Sequence, residues 1–354
     1  MNKTIIEGLA KIKVSTESKI SKKLPVFYNP VMKFNRDTSI LLLKCIPLKD
    51  LQVALPLAGS GIRGYRMLKE LPKNKIKTLF LNDYKDDFFD LTREHIKLNE
   101  IEDKEIVISS EDANLFILQN NGFDYIDLDP FGTPNPFLDS AAKRISRNGI
   151  FAITATDTSA LSGTYHSACV RKYWAVPKND ELKHETGLRI LIRKIQLVGA
   201  QFDKALTPIY SYSKDHYMRV VFRASKGKTK VDKILKQHKK FNGVGPVWVG
   251  KLWNTALASK MAKKAPEDIK KFLDIISNES KINVVGFYDI HTVCKKSKIT
   301  VPPFEMIMDQ IKQSGFKVSR THFSKTGIRS DIDKNKLLTI IKSLNKKILA
   351  KNKK

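Results

Sequence analysis

The fold is decided by the segment FDYIDLDPFG at residues 123–132, in which apolar residues alternate before a carboxylate and a Pro-aromatic-Gly turn. The alternation predicts a strand that ends just before Asp129. Ligands bind at the carboxyl ends of strands in open α/β sheets. Asp129 and the carbonyl group of Pro130 can accept hydrogen bonds from a planar amine, and Phe131 can stack on a nucleobase. A plain turn after the strand is the alternative interpretation.

Short apolar runs recur on both sides of this strand, at residues 53–58, 77–81, 106–108 and 149–154. Helical patterns lie between several of them, including residues 85–99 and 136–147. Short buried strands that alternate with helices predict an α/β fold with a mainly parallel, doubly wound sheet. The aromatic and β-branched run at 202–224 predicts a hairpin that closes this sheet with an antiparallel strand.

Length and charge predict a second, basic domain. The 354 residues exceed one ordinary hydrophobic core, so we expect domains at 1–224 and 225–354. Residues 221–354 hold 31 basic and 10 acidic side chains, whereas residues 1–220 hold 33 and 26. This excess favours a nucleic-acid partner over the alternative of a merely solvated basic surface. The C-terminal part is predicted to be a smaller α+β unit, with helical patterns at 266–277, 303–313 and 334–348 and strand patterns at 281–285 and 316–320. Its net positive charge would contact the phosphates of a nucleic acid.

The cysteine pattern and the hydropathy exclude several classes of protein. Cys45, Cys169 and Cys294 are far apart and odd in number, so the sequence offers neither a disulfide framework nor a Cys-x-x-Cys metal site. No window reaches the ~18 apolar residues of a membrane span, and residues 1–15 form an amphipathic stretch without the apolar core of a secretion signal. We therefore expect a soluble, cytoplasmic protein that binds neither a membrane nor a metal.

A glycine motif, GSGIRG at residues 59–64, follows the first strand of the predicted sheet. Gly59 and Gly61 let the backbone approach a ligand closely, and Asp83, 24 residues beyond Gly59, is placed to bind a ribose. This pairing is shared by NAD enzymes and by methyltransferases that use S-adenosylmethionine. The alternative for Asp83 is a cap at the start of the following helix.

The third strand is followed by Glu111 and Asp112, so both it and the fourth strand end in acids. A carboxylate such as Asp112 can accept the amine of an adenine, and a sulfonium tolerates acidic surroundings, whereas a pyrophosphate is repelled by them. The acids therefore favour S-adenosylmethionine over NAD. Asp112 can instead cap a helix that starts near Asn114.

Aromatic and basic residues interleave after the fifth strand, in a segment that contains Tyr165, Arg171, Lys172, Tyr173 and Trp174. Such mixing suits an RNA backbone and an unstacked base. The alternative, almost equally weighted, is that the aromatic side chains are core residues and the basic ones a solvated face.

Several motifs together resemble the tRNA guanine-26 N2-dimethyltransferase family. They are DPFGTP at 129–134, VFYNP at 26–30, NRD at 35–37 and GSGIRGYR at 59–66, with further matches at 154–163, 185–189, 245–250 and 321–323. The similarity extends through nearly the whole chain. It implies a class I methyltransferase fold, S-adenosylmethionine as methyl donor, and tRNA as the substrate in which a guanine becomes N2-methyl and then N2,N2-dimethylguanine.

The resemblance also implies roles for individual residues. Asp129 would be catalytic, and the residues that contact the donor would be Arg36, Arg66, Asp83, Asp112 and Ala113, with Phe27 and Arg63 beside them. One departure concerns a four-cysteine zinc cluster that many members carry in the segment matching 242–253, because this chain has no cysteine there. The resemblance thus implies no metal, and it leaves open what stiffens the loop at 241–253.

Other functions remain open at this point. A non-enzymatic RNA-binding protein with a relict cofactor fold would also be basic. An amino-methyltransferase acting on DNA would use a similar device, although Asp-Pro-Pro-aromatic is usual there and this chain has Phe131 and Gly132 instead. A nicotinamide oxidoreductase is a remote third. We expect a monomer.

Overall fold

The computed structural model describes residues 2–15, 27–102, 106–120 and 122–351. Val26, the first residue of one motif quoted above, lies outside the described residues. The chain divides into two compact units. The first unit contains Met1–Asp157, Ile192–Ser211 and Tyr217–His238, and the second contains Thr158–Leu191, Tyr212–His216 and Lys239–Lys354.

The described residues form strands and helices throughout both units. The strands are β1 Asn2–Glu7, β2 Ala10–Ser15, β3 Leu51–Leu55, β4 Ile76–Asn82, β5 Ile106–Ser109, β6 Phe123–Leu128, β7 Ile145–Ala155, β8 Lys204–Lys214, β9 Tyr217–Lys226, β10 His238–Phe241, β11 Val244–Trp248, β12 Tyr288–Asp289, β13 Val318–Thr321 and β14 Ser324–Ser330. The α-helices are α1 Lys33–Cys45, α2 Ile62–Glu70, α3 Phe88–Leu98, α4 Ala113–Gln119, α5 Leu138–Arg144, α6 Thr158–Leu161, α7 His166–Tyr173, α8 Lys183–Ala200, α9 Lys228–Leu235, α10 Thr255–Lys263, α11 Glu267–Glu279, α12 Ile290–Lys296, α13 Phe304–Gln313 and α14 Lys334–Lys351.

A seven-stranded sheet in the order β5-β4-β3-β6-β7-β9-β8 is the centre of the first unit. The strands from β5 to β7 run parallel, and β9 is antiparallel to β7. The predicted doubly wound sheet with a closing hairpin is therefore confirmed. The strand order reverses between β3 and β6, so the cleft expected of such a sheet opens outside the carboxyl ends of these two strands.

Residues 2–15, part of the stretch at 1–15 that is predicted only as amphipathic, form the β1-β2 hairpin. Helix α3 and its C-cap hold the hairpin through side chains: Lys11 N–H donates to Asn99 Oδ1 of the C-cap at 2.7 Å, and Lys13 N–H donates to His95 Nε2 of the helix at 3.0 Å. The side chains of Ala10 and Ile12 are buried. The hairpin therefore forms part of the first unit and carries Glu7, which the site below requires.

The second unit contains a three-stranded sheet in the order β12-β14-β13, the β10-β11 pair, and helices packed around them. The predicted helices and the strand near 316–320 are present, but the strand predicted at 281–285 is wrong. That stretch forms a loop, and the carbonyl groups of Val284 and of the adjacent Gly286 accept hydrogen bonds from Arg329 Nη1.

A buried set of charges holds this unit together, and we call Glu185, Arg189, Glu279, His322 and Arg329 the Glu185 cluster. Arg329 Nη2 donates to Glu185 Oε2 at 2.7 Å and its Nε donates to Glu279 Oε1 at 3.1 Å. His322 Nδ1 lies 2.5 Å from Glu279 Oε2. Burial alone would raise the pKa of Glu185, but Arg329 and Arg189 outweigh it and hold the pKa at about 2.

The same cluster contributes to stiffening the loop at 241–253. Arg189 Nη1 donates to the carbonyl groups of Trp248 and Gly250, each at 2.9 Å, and Trp248 Nε1 donates to the Lys251 carbonyl group. Val176 and Gly245 exchange backbone hydrogen bonds. A guanidinium has its donors in a fixed fork, so one arginine can fix two carbonyl groups of a turn.

The compact units do not divide the chain at the predicted break after Ala224. Residues 158–191, expected in the first domain, belong to the second unit, and Tyr217–His238 belongs to the first. The break falls at other places because Arg189 and Glu185 on α8 are bound to the C-terminal part of the chain, while β9 pairs with β7.

Candidate functional site

Asn82, at the end of β4, ties together three loops at one edge of the central sheet. Its Nδ2 group donates to the carbonyl groups of Pro56 and Glu111, each at 3.0 Å, and its Oδ1 accepts from Glu111 N–H at 3.1 Å. Ala58 N–H donates to the Asn82 carbonyl group at 2.8 Å. These bonds place the glycine motif, Asp83 and Asp112 at a common edge.

The glycine motif forms the turn between β3 and α2, and two of its residues require glycine. Gly59 and Gly61 have φ angles of 59° and 73°, in the left-handed region that favours glycine. A Cβ on Gly61 would overlap the ring of Tyr65, and a Cβ on Gly59 would lie 3.4 Å from the Phe27 carbonyl oxygen. Gly59 is half-buried and Gly61 is buried, so the conformation of both positions favours glycine, and the close approach of a ligand to their backbone stays a prediction.

Asp83 lies directly after β4 and faces this turn. Its Oδ2 accepts from Gly59 N–H at 2.8 Å. Burial raises the pKa of Asp83, although the Gly59 N–H group opposes that rise. The carboxylate thus accepts the hydrogen bond of a backbone N–H group of the kind that binds a phosphate in dinucleotide-binding turns.

Asp112 and Ala113 lie after β5, where Asp112 is the N-cap of α4. Its Oδ1 accepts from Asn114 N–H at 2.9 Å and from Leu115 N–H at 3.1 Å. The capping interpretation of Asp112 is therefore correct as far as Oδ1 is concerned. The side chain is exposed, so its second oxygen remains accessible, while Ala113 is buried.

The Asp129-Pro130-Phe131-Gly132 turn follows β6 and is held by hydrogen bonds to Thr156. Gly132 N–H donates to Thr156 Oγ1 at 2.6 Å, and Thr156 N–H donates to the Gly132 carbonyl group at 2.9 Å. Pro130 is buried, whereas the ring of Phe131 is 48% exposed and meets the ring of Phe27 edge to face at 4.5 Å between centroids. The turn thus presents an accessible aromatic ring next to Asp129.

Asp129 is held by an arginine from another element. Arg63 of α2 donates to Asp129 Oδ2 through Nη2, and the Asp129 side chain is 20% exposed. Within the described ranges, Asp129 Oδ1 has no hydrogen-bond partner in the protein. One oxygen of the carboxylate is therefore anchored, and the other is left to accept a hydrogen bond from a ligand.

Arg63 belongs to a larger buried set, which we call the Asp127 cluster: Asn35, Ser39, Arg63, Tyr125, Asp127, Thr154 and Arg219. Arg63 Nη1 donates to Asn35 Oδ1 at 3.0 Å and to Ser39 Oγ at 2.8 Å. Arg219 Nη1 and Nη2 donate to the two oxygens of Asp127 at 2.7 and 2.6 Å. Tyr125 OH donates to Asp127 Oδ2 at 2.7 Å.

The Asp127 cluster keeps its central carboxylate ionised. Burial alone would raise the pKa of Asp127, but Arg219 and Arg63 outweigh it and lower the pKa. A bidentate arginine-carboxylate pair is strong and directional, so the Asp127-Arg219 pair fixes a negative charge 3.4 Å from Arg63 Nη1. The guanidinium that holds Asp129 is itself held in this way.

Glu7 of the N-terminal hairpin binds the other two arginines predicted to contact a donor. Arg36 Nε donates to Glu7 Oε1 at 2.7 Å, and Arg66 Nη1 donates to the same oxygen at 2.7 Å. Arg66 also pairs with Asp37 and Glu70, each at 2.7 Å. Burial would raise the pKa of Glu7, but Arg36 and Arg66 outweigh it and hold the pKa at about 2.

Sequence reasoning missed several of these residues, although the sequence contains signals for two of them. Arg219 is a charged residue inside the apolar strand β9, and such a residue is buried only with a partner. Glu7 is an acid in the apolar alternation of residues 2–15. Asn82 has no such signal, because an amide that bonds three loops has no local pattern in the sequence.

The segment after β7 combines both interpretations of its aromatic and basic residues. Tyr173 is buried, as expected for a core residue. Trp174 is 50% exposed and Tyr165 is 64% exposed, and Arg171 and Lys172 are exposed as well. The exposed part of α7 therefore retains the composition that suits RNA.

The described residues contain neither a metal-binding cluster nor a membrane-spanning helix. Among the residues that the structure describes, no group of three or more His, Cys, Asp or Glu side chains is arranged to hold a metal ion. In the same ranges, no helix combines the length and the apolar composition needed to cross a membrane.

Comparison with known proteins identifies the family. The model of the N2,N2-dimethylguanosine tRNA methyltransferase family matches residues 8–242 and 235–342. The chain belongs to this family. A curated member from Methanobrevibacter smithii, named tRNA (guanine(26)-N(2))-dimethyltransferase, is 36% identical over 97% of this chain and 98% of its own length. A member from Aquifex aeolicus, named as a dimethyltransferase for guanines 26 and 27, is 37% identical over 92% of both chains.

A solved structure of the same family shows the same fold. Trm1 from Pyrococcus horikoshii, in complex with S-adenosyl-L-methionine, matches with a TM-score of 0.87 and 34% identity over 96% of this chain and 99% of that one. The predicted class I methyltransferase fold and the resemblance based on residues 129–134 and 59–66 are therefore confirmed.

Proposed function

We propose that this protein is a tRNA methyltransferase that moves one or two methyl groups from S-adenosylmethionine to the exocyclic N2 of guanine 26. The observation that carries the proposal is Asp129, a half-buried carboxylate that Arg63 holds at the switch point of the sheet beside the exposed ring of Phe131. Family membership supports the substrate class and the donor.

The edge of the sheet fits S-adenosylmethionine better than a dinucleotide. Gly59 N–H is bound by Asp83, and Asp83 and Asp112 lie where a pyrophosphate would meet their negative charge. Asp83 would accept from a ribose hydroxyl group, and Asp112 would accept from the adenine amine through Oδ2. Gly59, Gly61 and Ala113 would let the donor approach the backbone.

Phe27 and the arginines would supply the remaining contacts to S-adenosylmethionine. Arg36 donates to Glu7 through Nε and Nη2, and its guanidinium also lies 5.2 Å from the ring centre of Tyr28. Through Nη1 it would bind the carboxylate of S-adenosylmethionine. Arg66 uses all three nitrogens on Glu7, Asp37 and Glu70, so we assign it the role of fixing Glu7. Phe27 would pack against the donor beside Gly59.

When bound, S-adenosylmethionine supplies a methyl group on a sulfonium, which is already activated toward a nitrogen nucleophile. The amine of guanine is a poor nucleophile because its lone pair is delocalised into the ring. Asp129 Oδ1 and the Pro130 carbonyl group would each accept an N–H of this amine and align it, while Phe131 stacks on the base. As the nitrogen gains carbon it loses a proton, which Asp129 accepts.

The test is transfer to defined tRNA transcripts. The protein would be incubated with labelled S-adenosylmethionine and a tRNA that has guanine at position 26, and the modified nucleosides would be mapped. A matched transcript with adenine at position 26 is the control. We expect N2-methyl or N2,N2-dimethylguanosine at position 26 in the first transcript and no label there in the second. Transfer to no guanine N2 would contradict the proposal.

Related expectations concern the setting of the enzyme. We propose a monomer that works in the cytoplasm without a bound metal. Size-exclusion chromatography with light scattering and metal analysis of the purified protein would test the first and the last of these points.

A further inference from the structure

A groove of about 900 Å³ lies on the second unit, between α11, α13 and β13. Its floor is apolar and includes Ile275, Met308 and Phe316. Its lining includes six basic side chains, which define what we call the basic groove: Lys270, Lys271, Lys281, Lys312, Lys317 and Arg320. The acids in the lining are Glu267 and Asp274.

The charges in the basic groove are only partly balanced by the protein. Lys312 Nζ lies 3.6 Å from Asp309 Oδ1, and Arg320 Nη2 lies 3.1 Å from Glu305 Oε1, but both pairs are exposed. Within the part of the chain that the structure describes, no carboxylate lies within 4.0 Å of the ammonium groups of Lys270, Lys271 or Lys317. Like charges repel, so this arrangement favours an anionic partner.

Two features make the site more than a set of surface lysines. The guanidinium of Arg320 lies 3.8 Å over the ring of Phe304, and a stacked guanidinium keeps its donor fork oriented. The α11 part of the groove extends from Glu267 to Asn278, which at ~1.5 Å per residue is about 16 Å of helix. That length suits a run of successive phosphates better than a single small anion.

We propose that the basic groove binds the sugar-phosphate backbone of the tRNA substrate. This inference rests on the proposed function, which supplies tRNA as the polyanion. Lysines at the rim would neutralise phosphates, and the apolar floor would receive sugar or base surface. A concave floor with a charged rim suits a polymer that enters it, whereas a membrane surface requires protruding apolar side chains.

The experiment compares two double variants with the same loss of charge. Lys271→Gln/Lys317→Gln removes two exposed lysines of the basic groove, and Lys263→Gln/Lys264→Gln removes two exposed lysines on and after α10 that do not line it. Binding of tRNA would be followed by fluorescence anisotropy over a series of salt concentrations, and thermal melting would confirm that both variants fold.

We expect the groove variant to bind tRNA about tenfold more weakly, with a salt slope reduced by roughly 1.4 to 1.8 because two phosphate contacts are lost. KM for tRNA should rise with kcat and donor affinity unchanged. The control variant should behave like the wild type, and Lys271→Arg/Lys317→Arg should restore affinity because the charge returns. Equal affinities and slopes in the groove and control variants would overturn the proposal, as would equal losses in both.

The two proposals fail in different ways. Wild-type protein that binds tRNA through the basic groove but transfers no methyl group would contradict the proposed function alone. If the wild type methylates tRNA and the Lys271→Gln/Lys317→Gln variant binds and methylates tRNA equally well, only the proposal for the basic groove is contradicted.

Discussion

The Asp127 cluster and the Glu185 cluster are both buried sets that contain arginines and carboxylates. They differ in whether they are bonded to a side chain that a ligand can reach. The Asp127 cluster reaches a half-buried carboxylate, because Arg63 extends from it to Asp129. In the Glu185 cluster, Arg329, Glu185 and Glu279 are fully buried, and their other bonds go to groups of the same unit, such as the Val284 and Gly286 carbonyl groups and Thr321 Oγ1.

The difference shows how similar chemistry serves two purposes. Breaking a buried charge pair is costly, so both clusters fix the conformation of the elements that contribute to them. Only a cluster that is bonded to an accessible group outside it, as Arg63 is to Asp129, can also orient that group toward a ligand. On this view the first cluster acts on catalysis and the second acts on folding, and three measurements test that division.

The largest expected effect is on turnover in Asp129→Ala. We expect kcat to fall by about 10² to 10⁴, because the acceptor for the guanine amine is deleted. The affinity for tRNA and the free energy of unfolding should change little, since Arg63 keeps its bonds to Asn35 and Ser39. Single-turnover transfer and chemical denaturation would measure the two quantities. Unchanged turnover would remove Asp129 from its role, and Asp129→Asn separates loss of charge from loss of volume.

The second effect is on stability in Arg329→Met. Removal of the arginine leaves Glu185 and Glu279 buried with fewer partners, so we expect a loss of about 3 to 5 kcal/mol in the free energy of unfolding. Lys296→Met is the control, because the Lys296–Glu181 pair is exposed and should contribute only about 0 to 1 kcal/mol. Urea denaturation measures both. Similar small losses in the two variants would show that the Glu185 cluster is not a stabilising unit.

The smallest effect is on the acid limit of stability. The pKa of Glu185 is about 2 in the folded protein and about 4.5 when the chain is unfolded, so the unfolded state binds more protons between these values. The stability that Glu185 contributes is present above pH 4.5 and is lost as the pH falls toward 2. The slope of the unfolding free energy against pH is proportional to the number of protons taken up on unfolding. In Glu185→Gln this number should be smaller by up to about one in this range. Denaturation at a series of pH values would detect it, and parallel curves would refute the assignment.

Local pattern was sufficient to predict the framework of the first unit. The strand predicted from residues 123–128 is β6 with the same limits, and the predicted hairpin at 202–224 corresponds to β8 and β9. These features are predictable because each depends on which face of a short segment is buried. The same method was wrong at 281–285, where apolar residues lie in a loop whose carbonyl groups are bound by Arg329.

The sequence by itself determined the sheet, the tight turn at Gly59 and Gly61, and the position of Asp129 at a strand end, because strand period and glycine conformation are local properties. Only the tertiary structure decided the partners: Arg63 with Asp129, 66 residues apart, and Glu7 with Arg36 and Arg66, 29 and 59 residues apart. Such pairs depend on how helices and the N-terminal hairpin pack on the sheet, and no period in the sequence encodes that distance.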